Sequence, residues 1–324
     1  MKIAPWLAGI VASVSLVLAA PAAAQSYPSK PIRFVVPYAA GSASDILART
    51  LAEPLSKAMG QPFIVDNKPG NNSTLGTQFT ARSAPDGYTL ALATNSGLAA
   101  SPGGLTGGVQ YDPVKDLGYV GLVGSIYYVW IVNDGVPARN ARELIDLIKA
   151  NPGKYNYASG NTGGISFGGH IRNAYGLDMT HVPYKSTPPA LVDLIGGQVQ
   201  VMMADVASAL PMIRAGKVRA VGVPSAQRNP LLPEVPTFAE NGLQTPPDMR
   251  GWWAVVAPAG TSEDILNRLN GELVKILNMA SVKATLLQNG IVATPSTRQQ
   301  AAQYQKEQLQ VWTNIVTDLN LKAE

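Results

Sequence analysis

Apolar residues along this chain recur in two alternating rhythms. Short runs rich in Val, Ile and Tyr read as buried strands, and longer stretches repeat an apolar residue every third or fourth position, as one face of a helix does. The runs predict strands at 32–36, 63–66, 88–93, 119–123, 127–132, 155–158, 180–183, 199–203, 218–223 and 251–258. The first helix follows Asp45, with Ile46, Leu47, Leu51 and Leu55 as its apolar positions, and Pro54 is expected to end or kink it. Residues 140–150 open with Asn140-x-x-Glu143, a capping-box-like start, and carry Leu144, Ile145, Leu147 and Ile148. Further helices are predicted over 165–175, over 188–196, which opens on prolines, and over 207–216, which ends in Gly216.

The last part of the chain changes rhythm. Residues 261–279 place Leu266, Leu269, Leu273, Ile276 and Leu277 on one face, and 296–319 do the same with Tyr304, Leu309, Trp312, Ile315, Val316 and Leu319. Two such helices must bury those faces against an earlier sheet. Alternating strands and helices argue for an α/β protein with parallel sheets covered by helices. One α/β unit, then another, then a returning strand predicts discontinuous lobes: 25–126 with 252–324, and 127–251. The crossings fall at 127–132 going out and 252–256 coming back. Two strands linking two lobes make a hinge, and the gap between lobes is a place for a small molecule.

Composition adds the compartment. Lys2, the apolar core from Leu7 to Leu18 and Ala22-Ala23-Ala24 form a cleavable export signal over residues 1–24, cut before Gln25. The chain contains no Cys, which excludes a lipid-modified cysteine, a disulfide framework and a thiol nucleophile. A soluble periplasmic protein is the simplest reading. Removing Lys2 lowers the formal charge from +4 to +3, with 24 basic and 21 acidic residues interspersed. That balance gives no basic stripe for nucleic acid.

The segment most suggestive of chemistry is the turn after the first strand. Pro37 ends the strand, and Ala39, Ala40, Gly41, Ser42, Ala43 and Ser44 lead into the helix. Backbone N–H groups at such a helix start face outward at the positive end of its dipole and suit an anion. The Lys of a phosphate-binding loop and the G-x-G-x-x-G spacing are absent, so a carboxylate fits better than a nucleotide. The alternative is an ordinary strand-to-helix turn. A second cradle of the same kind is read at 158–164, where Ser159 and Thr162 add hydroxyls, against the alternative of a flexible Gly-rich turn.

Gly164-Ile165-Ser166-Phe167-Gly168 fits a serine nucleophile elbow, and His170 and His181 are the chain's two histidines. The chain order and the loop before Ser166 do not suit a hydrolase, which is kept as an alternative. Two histidines without cysteines speak against a transition-metal site. Asp205 ends an apolar strand, and two readings stay open: a hydrogen-bond acceptor for a ligand, or a cap for the next helix. Tyr38, Tyr127, Tyr128, Phe167, Tyr184 and Trp252 stand near predicted strand ends, where aromatics are core, rim or the wall of a site. The tyrosines and Trp252 lean toward an aromatic acid.

These segments together resemble a known family. Tyr27-Pro28, Lys30-Pro31-Ile32-Arg33, Gly41 with Asp45 and Arg49, and Asp66-Asn67-Lys68-Pro69-Gly70 come first. Pro85-Asp86-Gly87-Tyr88-Thr89-Leu90, His181-Val182-Pro183-Tyr184-Lys185 and Gly196-Gly197-Gln198-Val199 follow. Leu232-Pro233-Glu234-Val235-Pro236-Thr237 and Ala257-Pro258-Ala259-Gly260 complete the set. In this order they are similar to the periplasmic solute receptors of tripartite tricarboxylate transporters, the Bug proteins.

The resemblance implies a two-lobed type II periplasmic binding-protein fold, with two parallel or mixed sheets, flanking helices and hinge strands. It implies a carboxylate held between the lobes and delivered to membrane transporter subunits, with no reaction catalysed, no cofactor and a monomeric receptor. Ligand contacts are expected from Tyr38, Ala40, Gly41, Ser42, Ser44, Asp45, Thr94 and Asn95 in the first lobe. Ser159, Gly160, Thr162, Tyr184, Ala204 and Asp205 are expected to contribute from the second. A sensory role, docking on a signalling partner, uses the same surface. Two departures mark this chain: Gly41-Ser42 stands for the usual Gly-Gly, and Asn71-Asn72-Ser73 for the usual Gly-rich run. Both are expected to reshape the ligand end of the first lobe.

Overall fold

The computed structural model describes residues 27–244, 249–318 and 321. The export signal and Leu319 lie outside the described residues. Two sheets organise the chain. The first has six strands in the order β11 (Ile291–Ala293), β4 (Leu117–Ile126), β10 (Gly251–Pro258), β3 (Thr89–Thr94), β1 (Ile32–Val36) and β2 (Phe63–Asn67). The second has five, β7 (Met179–Pro183), β6 (Tyr155–Ser159), β8 (Val201–Asp205), β5 (Tyr128–Asn133) and β9 (Val218–Gly222).

Neither sheet is wholly parallel, which corrects the expectation drawn from strand–helix alternation. β10 is antiparallel to both β3 and β4, and β5 is antiparallel to both β8 and β9. Those are the strands at which the chain changes sheets. Tyr127 alone separates β4 from β5, and Gly251, the first residue of the returning strand, pairs with Ile126.

Each sheet contains a parallel trio with its earliest strand in the middle: β2-β1-β3 and β7-β6-β8. From β1 the chain runs through α1 (Ala43–Met59) to β2 on one side, and β3 lies on the other. From β6 it runs through α4 (Thr162–Tyr175) to β7, with β8 opposite. The carboxyl end of such a middle strand opens a crevice between diverging connections, the usual ligand position in open α/β sheets.

Helix α1 buries Leu47, Leu51 and Leu55 completely or nearly so, each side chain contributing about 1.5–3 kcal/mol of burial. It runs unbroken through Pro54, because the missing donor falls on a half-exposed face where solvent reaches Thr50. Helices α7 (Glu263–Asn278) and α9 (Arg298–Asp318) both pack on β4, which covers the predicted apolar faces of the terminal segment. Beside the second sheet α5 spans Thr187–Ile195, after a short loop from β7, and α6 spans Val206–Arg214, starting directly at the end of β8. α3 (Ala141–Lys149) and α8 (Ala280–Gln288) complete the outer layers.

Helix α2 (Thr74–Ala81) has no apolar signature because its buried face is Thr74, Gly76, Thr77 and Thr80, while Leu75 points outward. The Thr77 and Thr80 hydroxyls donate to carbonyls one turn back, so polar residues fill a core position. A single π-helical turn at Ser96–Ala100 follows β3.

Gly160 lets two strand-end loops meet. A Cβ there would lie 2.3 Å from the Thr187 backbone nitrogen. Gly160→Ala is therefore expected to lower unfolding stability by about 1–3 kcal/mol in chemical denaturation. Gly271, exposed within α7 with open space around it, is the contrast: Gly271→Ala is expected to raise stability by about 0.5–1 kcal/mol.

Candidate functional site

Four helices begin around one small cavity. Helix α1 enters from the first sheet, and α4, α5 and α6 enter from the second. The cavity lies between the sheets, lined from the first by Tyr38, Ser42, Ala43, Ser44, Thr94, Asn95, Ser96, Ile126, Gly251 and Trp253. Tyr128, Asn161, Thr187 and Asp205 line it from the second. Its volume is about 30 Å³, room for roughly one or two waters.

The α1 turn is shaped by one glycine and one carboxylate. Gly41 has φ +77°, a left-handed value, and its N–H donates to Asp45 Oδ2 at 2.9 Å. Asp45 is buried, and it also accepts from Arg49 Nε at 3.0 Å and, through Oδ1, from Asn67 Nδ2 at 3.0 Å. Burial pushes the Asp45 carboxyl up, but these donors outweigh it and hold the group below the ordinary carboxylate value. Asp45 thus holds the turn together and does not face the cavity.

Ser42 is the N-cap of α1, its Oγ accepting from Asp45 N at 3.2 Å. It sits at φ −71°, open to any residue, so the departure from Gly-Gly strains nothing and supplies a cap. The helix geometry leaves the Ala43 and Ser44 N–H groups without intrahelical acceptors, and both residues line the cavity. Ser44 Oγ accepts from Trp253 Nε1 at 2.8 Å, which fixes the indole as a wall.

Asn95 adds a donor of its own. It is buried, lines the cavity, and its Nδ2 has no hydrogen-bond partner. A buried amide N–H without an acceptor costs about 1–3 kcal/mol, a deficit that an acceptor inside the cavity removes.

Asp205 does what one of its two readings required. It caps α6, with Oδ1 accepting from Ser208 N at 2.9 Å, while Oδ2 accepts from Asn161 Nδ2 at 3.0 Å and Thr187 Oγ1 at 2.7 Å. Among the described residues it is the one charged residue lining the cavity, and both its oxygens already have donors. Asn161 in turn caps α4 through Gly164 N at 3.0 Å. Asp205 therefore ties the starts of α4, α5 and α6 into one rigid wall.

Hydroxyls and amides also join the two sheets directly. Thr162 Oγ1 donates to Ser96 Oγ at 2.6 Å and accepts from Asn72 Nδ2 at 2.8 Å. Within the first side Tyr38 donates to Ser96 Oγ at 2.9 Å, and across to the second the Ala39 N–H donates to Ser186 Oγ at 3.3 Å. Burial pushes the Tyr38 hydroxyl up to about 12, so it remains a neutral donor. The second departure, Asn71-Asn72-Ser73, adopts φ values of 44°, 48° and 72°. Left-handed backbone costs such residues of order 1 kcal/mol each, and here it delivers Asn72 to the opposite sheet.

Of the residues singled out in the sequence, Tyr38, Ser42, Ser44, Thr94, Asn95 and Asp205 meet at the cavity. Others do not line it. Ala40 is exposed, and Gly41 and Asp45 build the turn from outside. Gly160 packs on Thr187, and Ala204 lies in the sheet opposite Val129. Thr162 belongs to the bridge between sheets, and Tyr184 donates to Asp193 Oδ2 at 2.6 Å. Ser159 bonds His181 Nε2 at 2.7 Å, and His181 stacks on Tyr157.

Helix α4 begins at Thr162, not Ile165, which shortens the expected loop and places Ser166 inside a helix. Ser166 is fully buried and its Oγ has no hydrogen-bond partner, so the serine-elbow geometry is not formed. Trp252, favoured as an aromatic wall, points to Tyr304 in a separate hollow, and Trp253 takes the cavity position beside Thr94. Alternation along β10 is no guide here, because all eight of its residues are buried. Asn161, Thr187 and Ser96 were within reach of sequence reasoning as helix-start neighbours of residues already selected.

Two mixed sheets with a polar cavity walled from both define a periplasmic-binding-protein fold. A model of the tripartite tricarboxylate transporter family receptor matches residues 47–321, and the chain belongs to that family, the Bug type of receptor. It is 33% identical to protein BugT of Bordetella pertussis, over 95% of this chain and 94% of that one. Among solved structures it is similar to MatC from Rhodopseudomonas palustris with bound malate, with a TM-score of 0.82 and 29% identity. That match covers 90% of this chain and 100% of that one. The R. palustris protein Rpa4515 with adipate gives a TM-score of 0.86 and 26% identity, covering 92% of this chain and 100% of that one.

Two predictions follow from the geometry. The Asp45 carboxyl is held down in the folded state, so its stabilisation is present above the unfolded value near pH 4 and is lost as pH falls through the lower folded value. Urea titrations of wild type and Asp45→Asn are expected to differ most near neutrality and to converge below about pH 4. Thr162→Val removes two bonds between the sheets, each worth about 0.5–1.5 kcal/mol. Small-angle scattering of the ligand-free variant is expected to give a larger radius of gyration than wild type.

Proposed function

We propose that this protein is a non-enzymatic periplasmic receptor that captures a small dicarboxylate between two lobes and delivers it to a tripartite tricarboxylate-type membrane transporter. The lobes are residues 25–126 with 252–324, and 127–251, freed from the export signal by cleavage near Ala24. The observation that carries the reading is the donor set converging on one cavity. Ala43 and Ser44, with their free amides at the start of α1, and Asn95, with its unpartnered buried amide, line it from one sheet, and the starts of α4, α5 and α6 line it from the other.

Among the described residues no Lys or Arg lines the cavity, so the anion is held by neutral donors and helix dipoles. Asp205 carries the opposing charge, but both of its oxygens already accept hydrogen bonds, from Ser208, Asn161 and Thr187, which offset that charge. Malate in MatC and adipate in Rpa4515 support a carboxylate as the ligand class. A cavity of about 30 Å³ is too small for either acid, so the lobes part to admit ligand and close on it. Closure is favoured only by the difference in ligand affinity between the two states.

Calorimetric titration of the mature chain with malate, succinate, adipate and citrate tests the reading. Saturable binding of at least one acid, with compaction in scattering, is the expected result. Asn95→Ala is expected to weaken that binding about tenfold or more, as loss of a hydrogen bond to a charged group does. No saturable binding across the panel refutes it.

A further inference from the structure

A single aromatic ring divides the cavity between the sheets from a much larger hollow. Tyr128 lines both spaces. On its far side the hollow measures about 610 Å³, against about 30 Å³ for the cavity. Tyr127, Phe167, Ser225 and Arg250 are among its walls, a mixture of aromatic surface and cationic rim.

The ring is held rigidly. Tyr128 opens β5, where its backbone pairs with Asp205 of β8. Gly163 and Gly251 flank it. A Cβ at Gly163 would lie 1.9 Å from the ring Cζ, and one at Gly251 would lie 3.0 Å from the hydroxyl. Only glycine fits at the first of these positions. Phe167, one helical turn beyond Gly163 on the same face of α4, tilts against the ring at 5.3 Å. Tyr128 is 6% exposed, and burial raises its hydroxyl well above the ordinary value, so it remains a neutral wall at any working pH.

Position in the chain strengthens this. Tyr128 is two residues from Ile126, where the chain leaves the first sheet, and beside Gly251, where it returns. Residues next to crossing points move least when two lobes rotate about them. The ring therefore closes the same end of the site whether the lobes are together or apart. The bond from Thr162 to Ser96 joins the two sides of the cavity, and it is the kind of contact that breaks when they part.

We propose that Tyr128 sets the length of the ligand, restricting this receptor to short diacids such as succinate and excluding long-chain and aromatic diacids. The proposal rests on the carboxylate-receptor reading above and narrows its substrate class. A chain extended beyond the cavity meets the Tyr128 ring, and the ring cannot yield without opening the Gly163 contact. With the ring removed, the space behind it is continuous with the cavity. A longer diacid can then lay its methylenes against Phe167 and Tyr127.

The test is calorimetric titration of the mature protein with succinate, suberate and terephthalate, in wild type, Tyr128→Phe and Tyr128→Ala. Wild type and Tyr128→Phe are expected to favour succinate over suberate by about tenfold or more. Tyr128→Ala is expected to narrow that ratio at least tenfold and to gain terephthalate binding. If Tyr128→Ala does not fold, Tyr128→Leu, which keeps an apolar wall but shortens it, is read in the same way. Equal affinity of wild type for succinate and suberate overturns the proposal, as does an unchanged ratio in the alanine or leucine variant. Absence of binding to every acid by wild type overturns the carboxylate reading itself, and the length proposal falls with it.

Discussion

An α-helix leaves its first N–H groups without acceptors, and this protein brings four such helix starts to one place. Everything else about the site serves that convergence. Small residues at the strand ends let each helix begin close to the cavity, and a side chain caps three of the four starts. Ser42 caps α1, Asn161 caps α4 and Asp205 caps α6, each by accepting from a backbone N–H three residues on. The caps take the deeper amides and leave the outermost ones directed at the cavity. Partial positive charge is thereby concentrated without a lysine or arginine among the described residues that line the cavity.

This choice of donor has a mechanical consequence on the proposed reading. Helix dipoles act over the first turn and are screened quickly by water. Donors on one sheet reinforce donors on the other only when the sheets are together and solvent is excluded. A ligand held in this way is released when the lobes part, whereas a bidentate arginine would travel with its carboxylate. Direct bonds between the sheets, from Asn72 through Thr162 to Ser96, add a contribution to closure that does not depend on ligand. The strained Asn71-Asn72-Ser73 turn belongs to this arrangement, since its left-handed backbone carries Asn72 across.

Much of the site was legible in the residues. Gly41 followed by Ser42 and an acidic residue at the helix start marked the first turn, and the cap at Asn140 is placed as its spacing predicts. Ser42 and Ser44 line the cavity because they belong to such a start, and Asp205 because it ends a strand there. The selected residues that lie off the cavity share a reason. Gly41 and Asp45 belong to the right turn, but the Gly41 N–H and the Asp45 carboxylate satisfy each other. Ser159 and Tyr184 likewise belong to the right strand ends and bond elsewhere, to His181 and Asp193.

Local pattern determined the elements of this protein, the alternation of strand and helix, and the turns able to bind an anion, because those depend on period, caps and backbone freedom within a few residues. The antiparallel returns of β10 and β5, the choice of Trp253 over Trp252, and the meeting of Thr162 with Ser96 were decided by tertiary structure. Each depends on which groups, distant in sequence, reach one another first. A hydrogen-bonding group satisfied by such a neighbour is no longer available to a ligand, and no local pattern records that.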